Sequence, residues 1–109
     1  LHSVYVFHPE FRDLYLRRHD RIVTIDSSRY LCSRVVTIAN IVAFKTGTGS
    51  FTRLVQHLVS LGYAVCVECV LEDRFSEKLK SMGFVPSSCV EGARDFIFNF
   101  QGHLEKLRN

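Results

Sequence analysis

Two glycines, Gly47 and Gly49, lie among hydroxyl residues in the segment KTGTGS (45–50). The preceding segment, VVTIANIVAF (35–44), is apolar and β-branched, which predicts a buried strand. The following segment, FTRLVQHL (51–58), has its apolar residues on one helical face. The first helical turn has unpaired N–H groups and the positive end of the helix dipole, and glycine lets an anion approach the backbone. Residues 35–58 therefore predict an anion-binding strand–loop–helix unit.

The spacing of the glycines excludes two common phosphate-binding motifs. A Walker loop requires a Gly-Lys pair before a hydroxyl residue, and none follows here. A Rossmann fingerprint requires a third glycine at position 52, which is Thr52.

A second strand and helix follow the loop helix. Gly62 is a candidate helix C-cap, and YAVCVECVL (63–71) predicts a buried strand. The next segment, EDRFSEKLKSMGF (72–84), predicts a charged helix that ends in Gly83-Phe84. Because a helix connects them, the strands 35–44 and 63–71 are expected to be parallel neighbours.

Residues 34–86 resemble the GNAT family of N-acetyltransferases. The family's pyrophosphate loop is R/Q-x-x-G-x-G/A, and Thr46-Gly47-Thr48-Gly49-Ser50-Phe51 aligns with it. Gly49 keeps the first required glycine, whereas Thr46 replaces Arg or Gln and Phe51 replaces the last small residue. The family also has a strand after the loop helix, followed by a short helix ending in Gly-Phe. The resemblance implies an α/β fold, with a mixed central β-sheet flanked by helices.

The resemblance implies acetyl-CoA as co-substrate and a primary amine as acceptor, on a small molecule or a protein. The pyrophosphate would face the backbone of Gly47–Thr52, with Lys45 and Arg53 adding charge. The pantetheine arm would lie between the two parallel strands, which splay apart in the family. The thioester carbonyl would be polarised by a backbone N–H near Ile41–Ala43. The implied cofactor-binding residues are Ile41, Val42, Ala43, Thr46, Gly47, Thr48, Gly49, Ser50, Phe51, Thr52 and Glu72.

Glu68 is the candidate catalytic base. It is the one ionisable carboxylate in the apolar run 63–71, where partial desolvation would raise its pKa toward the range a base needs. Carboxylates on this strand are bases in some relatives of the resembled family. Two alternatives remain open: Glu68 lies where the strand emerges into solvent, or it pairs with an arginine.

The family's usual tyrosine acid is missing. The corresponding position, counted back from Gly83-Phe84, is Leu79, and Glu72 stands where relatives often have a CoA-contacting Asn. With Phe75 and Met82, Leu79 fits the buried face of a helix. The sequence thus predicts a weak acetyltransferase or a protein that only binds CoA.

The other segments predict shorter elements. Residues 3–7 predict a strand, and a helix is expected to begin at His8-Pro9, with Phe11, Leu14 and Tyr15 on its apolar face. Further strands are expected at 22–25, 29–32 and 93–100, with a turn at 26–28. The last residues, GHLEKLRN, predict a polar tail or a terminal helix.

Length and composition indicate one domain over residues 1–109, with the N-terminal part of the resembled fold reduced or truncated. The net charge of +3 suits an anionic cofactor and argues against a dedicated nucleic-acid binder. No apolar run predicts a membrane span or a signal peptide. We expect a cytoplasmic protein, and a homodimer is left open.

Four cysteines are present, including the pair Cys66-x-x-Cys69. No second pair and no histidine spacing completes a metal site, so no metal is expected. Buried, reduced thiols are the favoured interpretation.

Three classes of function remain. The first is an acetyl-CoA-dependent enzyme, and the second is a non-catalytic acyl-CoA-binding or regulatory domain of the same fold. The third is an unrelated α/β interaction module in which TGTGS is merely a strand-to-helix turn. The loop together with the helix ending in Gly-Phe favours the first.

Overall fold

The computed structural model describes residues 2–5, 11–43, 49–68, 70, 72–87 and 94–107, and only the backbone of residues 2–5, 12, 13 and 40–43. Seven strands and two helices occupy these ranges. In chain order they are β1 (His2–Tyr5), β2 (Phe11–Ile25), β3 (Ser28–Ala43), α1 (Ser50–Ser60), β4 (Ala64–Val67), α2 (Asp73–Ser81), β5 (Val85–Pro86), β6 (Phe96–Phe98) and β7 (Leu104–Lys106).

The strands form one mixed sheet, as the sequence predicts. Six of them follow the order β1-β2-β3-β4-β6-β5, and β7 pairs with the first part of β3. The pair β3–β4 is parallel, which confirms the expectation from the helix that joins them. The other pairs are antiparallel. The described part is therefore an α/β domain with a mixed sheet.

The hairpin of β2 and β3 turns at Asp26-Ser27, where the turn was expected. Both residues have positive φ (49° and 67°), and Ile25 pairs with Ser28, which is the geometry of a two-residue type I′ turn. The two strands predicted at 29–32 and 35–44 are one continuous strand. Its register with β2 shifts near Arg34, whose φ is 55°, and again at Ala39.

The helix predicted to begin at His8-Pro9 is wrong. From Phe11 onward the chain is the 15-residue strand β2, which pairs along its length with β3. The helical spacing of Phe11, Leu14 and Tyr15 is overridden because a long hairpin satisfies the backbone of both strands. Residues 8–10 lie outside the described ranges.

The C-terminal prediction of a tail or helix is also wrong. Residues 104–106 form β7, which pairs with Tyr30–Cys32 of β3. The segment is too short to show a period of its own, so the partner strand determines its conformation.

Both helices end in the same hydrogen-bonded motif. In α1, Gly62 (φ 88°) donates to Val59 O and Tyr63 donates to Leu58 O. In α2, Gly83 (φ 100°) donates to Lys80 O and Phe84 donates to Leu79 O. These are Schellman motifs, which favour glycine at the left-handed position. The Gly-Phe ending of α2 thus has a local cause.

Alternating residues of the central strands supply two hydrophobic cores. The core that includes both helices contains Val36 and Ile38 of β3 and Val65 and Val67 of β4. Leu79 of α2 is fully buried there, which confirms its predicted place in the core. The opposite face contributes a second core, composed of Val23, Cys32, Val35, Ala64, Cys66 and Ile97. In the described part, neither helix is long and apolar enough to span a membrane.

Candidate functional site

The N-terminus of α1 lies beside the C-terminal ends of the parallel strands β3 and β4. We call this end of the sheet the sheet edge. Gly49 precedes the helix with φ 80°, a left-handed conformation that favours glycine. Gly49 has no side chain to cap the helix, and no acidic residue lies in its first turn, so the positive end of the helix dipole is not offset by a carboxylate there. Arg53 lies beside this helix end, with Nη2 donating to Ser50 Oγ at 3.4 Å. This helix end therefore has the polarity that an anion requires.

The predicted cofactor residues divide into three groups. Gly49, Ser50 and Thr52 lie at the start of α1, whereas Thr46, Gly47 and Thr48 lie outside the described ranges. Phe51 is also in the first turn, but its ring is 8% exposed and packs edge-on against Phe75 at 5.2 Å. Only the backbone of Phe51 is therefore suited to bind a ligand.

The remaining cofactor residues lie on other elements. Ile41, Val42 and Ala43 form the end of β3, where their backbone pairs with β2. Glu72 is the exposed residue that precedes α2, and its carboxylate makes no capping hydrogen bond. Its backbone carbonyl accepts from Ser76 N–H at 3.1 Å. Glu72 therefore lies at the start of α2, the helix that follows β4.

The parallel strands β3 and β4 separate beside this edge. Their last registered pair is Ile38–Val67, followed by one hydrogen bond from Glu68 N–H to Ile38 O at 3.2 Å. Strand β3 continues to Ala43, paired with β2. Among the described residues, none pairs with 40–43 on the β4 side. Within the described ranges, the end of β3 and Glu68 therefore border a position where β3 has no strand partner, and we refer to this position as the opening.

Glu68 belongs to a cluster of four charged side chains. Arg17 Nη2 contacts Glu68 Oε1, and Arg21 Nη1 donates to Glu68 Oε2 at 3.1 Å. Arg21 Nη2 also donates to Asp95 Oδ2 at 2.8 Å. The side chains of Arg21 and Asp95 are only 13% and 10% exposed. Two guanidinium groups and two carboxylates thus neutralise one another in a largely buried position.

This arrangement corresponds to one of the open alternatives for Glu68, pairing with an arginine. Both carboxylate oxygens are engaged, so an incoming ammonium group competes with two guanidinium groups for them. The catalytic role of Glu68 remains a prediction. Its position at the point where β3 and β4 separate is compatible with contact to a ligand in that opening.

The sequence did not predict the partners of Glu68. Arg17 lies in the segment that was predicted to be a helix, although Arg17, His19, Arg21 and Val23 alternate with other residues in the period of a strand. The alternation continues through Val23 and Ile25, which belong to or pack against the second core. It was the pattern in the sequence that indicated a strand here. Asp95 precedes β6 and had no local signal, because its partner lies 74 residues away.

His19 lies next to this cluster. Its Nε2 is 2.9 Å from Thr37 Oγ1. Burial, and then the charges of Arg21 and Arg17, lower the pKa of His19 below its usual 6.5. Proton uptake by this imidazole is therefore opposed in the folded protein.

Acid is expected to destabilise the fold through His19. Because folded His19 has a lowered pKa, the unfolded chain binds more protons once the pH falls below about 6.5, and stability decreases. His19→Gln should reduce the loss of thermal stability between about pH 7 and about pH 5. The same replacement at the exposed His57 is the control. An undiminished loss in His19→Gln would contradict this expectation.

Two of the cysteines are buried free thiols, as predicted. Cys32 and Cys66 both belong to the second core. Burial raises the pKa of Cys32 to about 11 and that of Cys66 to about 12, so both remain protonated near neutral pH. Cys69 and Cys89 lie outside the described ranges. In the described part, no group of three or more His, Cys, Asp or Glu side chains could hold a metal ion.

No protein-family model matches the chain, and neither a curated protein nor a solved structure matches it at a significant level. The function is therefore inferred from the residues of this chain and from the geometry of the sheet edge.

Proposed function

We propose that this protein binds acetyl-CoA at the start of α1 and transfers the acetyl group to a primary amine, as a GNAT-like N-acetyltransferase. One observation carries the proposal. The parallel strands β3 and β4 stop pairing at Ile38 and Glu68, while β3 runs on to Ala43, at the edge where α1 begins. Such an opening beside a helix N-terminus suits a long ligand with an anionic end.

Binding of the pyrophosphate is supported by the start of α1. The backbone of the first turn, at the positive end of the helix dipole, and the left-handed Gly49 form a surface that a phosphate oxygen can approach closely. The Arg53 guanidinium adds a positive charge nearby. Thr46 contributes no charge in place of the family's Arg or Gln, so we expect modest affinity.

Positioning of the acetyl group is supported by the separation of the two strands. The pantetheine arm is proposed to lie between β3 and β4, with the thioester carbonyl oxygen accepting from a backbone N–H near Ile41–Ala43. A fixed backbone donor stabilises the negative charge that develops on this oxygen when an amine attacks. This contribution requires no particular side chain.

The proposed reaction has two proton transfers. The acceptor ammonium first loses a proton, and its nitrogen then attacks the thioester carbon. The nitrogen of the tetrahedral intermediate loses a second proton to water, and collapse of the intermediate then breaks the carbon–sulfur bond, leaving an N-acetyl amide and the thiolate of CoA. We propose Glu68 as the group that receives the first proton.

Departure of the thiolate is proposed to occur without a protein acid. Leu79 is buried and carries no proton to give. Tyr63 follows the C-terminus of α1, and the 11-residue helix places about 16 Å between its two ends. A thiol pKa near 8.5 makes unassisted departure feasible, though slower than an assisted step.

Glu68→Gln is expected to reduce the turnover of amine acetylation by about 100-fold while sparing the affinity for CoA, because Gln cannot accept the proton. The measurement is release of free CoA thiol with a panel of small primary amines and lysine-containing peptides. Glu77→Gln is the control, since Glu77 is a strongly exposed glutamate of α2. Unchanged turnover in a folded Glu68→Gln protein would remove Glu68 from the mechanism.

A second candidate function is acyl-CoA binding without transfer. It is favoured by the pairing of both Glu68 oxygens with guanidinium groups and by the absence of an acid at Leu79. CoA binding without turnover across the amine panel would select this function. Absence of CoA binding would leave the third class, an α/β interaction module.

A further inference from the structure

A surface pocket of about 200 Å³ lies at the opposite end of α1 from the proposed CoA site. Arg18, His19, Asp20, Arg34 and Tyr63 line it. None of these residues was a candidate for CoA binding, and the pocket is adjacent to Tyr63, which follows the C-terminus of the helix. Its ligand is therefore independent of the proposed acetyl transfer.

Two guanidinium groups approach Tyr63 from different directions. Arg18 Nη1 donates to the Tyr63 hydroxyl at 3.5 Å, and the Arg34 guanidinium carbon lies 5.0 Å from the centre of the ring, above its face. Asp20 is the one carboxylate among the described residues that line the pocket, and it accepts from the backbone N–H of Arg34 at 3.4 Å. With His19 neutral, the formal charge of the lining is positive.

Arg34 is held in place by the fold. It has φ 55°, a left-handed conformation that is strained for a residue with a Cβ atom. Its Nε and Nη2 donate to the carbonyls of Gly62 and Leu61, at the end of α1. Among the described residues these two bonds leave three of its five N–H groups without a partner. The capping role thus explains the position of Arg34 and still leaves donors for a ligand.

Arg18 has no comparable structural task. Its described side-chain hydrogen bond is the one to Tyr63, and Arg18 is exposed. Together with Arg34 it places positive charge beside Tyr63. The hydrogen bond from Arg18, followed by the charges of both arginines, lowers the pKa of the Tyr63 phenol. An anion placed between the two guanidinium groups would relieve their repulsion.

We propose that this pocket binds the phosphate group of a small phosphomonoester, held between Arg18 and Arg34. A tetrahedral dianion accepts hydrogen bonds from several directions at once, whereas one guanidinium fork suffices for a planar carboxylate. Arg18 reaches Tyr63 at its hydroxyl and Arg34 lies over its ring face, so a phosphate held between the two guanidinium groups accepts from two directions. The pocket volume exceeds that of one phosphate, so part of the organic group is accommodated as well.

The test is a titration of the isotope-labelled protein with inorganic phosphate, followed by NMR at the signals of Arg18, Arg34 and Tyr63. Saturable shifts are expected, and Arg18→Ala should weaken binding at least tenfold. Arg29→Ala is the matched control, because Arg29 is an exposed arginine of β3 outside the pocket. Equal affinities of these two variants, or no saturable shift in the wild type, would overturn the proposal.

Two further titrations test the selectivity for phosphate and the location of the binding site. Acetate at the same concentration should bind at least tenfold more weakly, and equal binding would refute phosphate selectivity. Gly49→Val, which alters the proposed CoA site, should leave the shifts at Tyr63 unchanged. If the phosphate-induced shifts at Tyr63 disappear in Gly49→Val, phosphate binds at the start of α1 and the proposal of an independent pocket is overturned. This outcome does not bear on acetyl transfer.

Discussion

Arg21→Ala is expected to lower the free energy of unfolding by about 3 kcal/mol, which corresponds to a decrease in Tm of about 12 °C. The reason is that the change removes the described guanidinium partner of Asp95, whose side chain is only 10% exposed. A largely buried carboxylate that loses an ion pair retains its desolvation penalty and loses part of the compensating attraction. Glu68 keeps Arg17 and contributes less to the loss.

Thermal and urea unfolding measure this effect. Arg29→Ala, an exposed arginine on β3, is the control and should change stability by less than about 0.5 kcal/mol. In Arg21→Ala/Asp95→Ala, part of the stability should return, because the buried carboxylate that lost its ion pair with Arg21 is removed as well. If Arg21→Ala is no less stable than Arg29→Ala, the charged cluster does not support the fold.

Gly49→Val is expected to reduce the affinity for CoA at least tenfold. Gly49 has φ 80°, so a β-branched residue is strained there, and its Cβ would lie 3.1 Å from Arg53 Nη1. The side chain would therefore displace Arg53 and stand where a phosphate oxygen must approach the backbone. Calorimetric titration with CoA measures the change.

Gly102→Val provides a matched control for backbone strain. Gly102 has nearly the same φ, 84°, and no atom of the described residues lies within 4 Å of its Cβ position. Both variants should lose about 1–2 kcal/mol of stability from the left-handed conformation. Only Gly49→Val should lose CoA affinity, and equal affinities in the two variants would remove Gly49 from the site.

The elements with a strong local signal were predictable from the sequence. Strand β4 and the helices α1 and α2 have apolar periods that match their burial, and Gly62 and Gly83 end the helices by satisfying backbone carbonyls. The parallel pairing of β3 and β4 followed from the helix that joins them. In these segments the local preference and the tertiary structure agree.

The failures concern elements whose conformation depends on distant partners. Residues 11–19 match a helical spacing over a few positions, but the pairing of β2 with β3 determines their structure. The conformation of β7 likewise depends on its antiparallel pairing with β3. The salt bridges from Arg21 span 47 and 74 residues, so no local pattern could bring Glu68 and Asp95 to the same cation.

The most direct test of the central claim is a calorimetric titration of the wild-type protein with acetyl-CoA, accompanied by NMR mapping of the perturbed backbone amides. We predict saturable binding with a stoichiometry of about one. The largest shifts should be in the first turn of α1, from Ser50 to Arg53, and at the end of β3, from Ile41 to Ala43. Absence of binding, or binding with shifts confined to other elements, would contradict the assignment of this sheet edge as a CoA site.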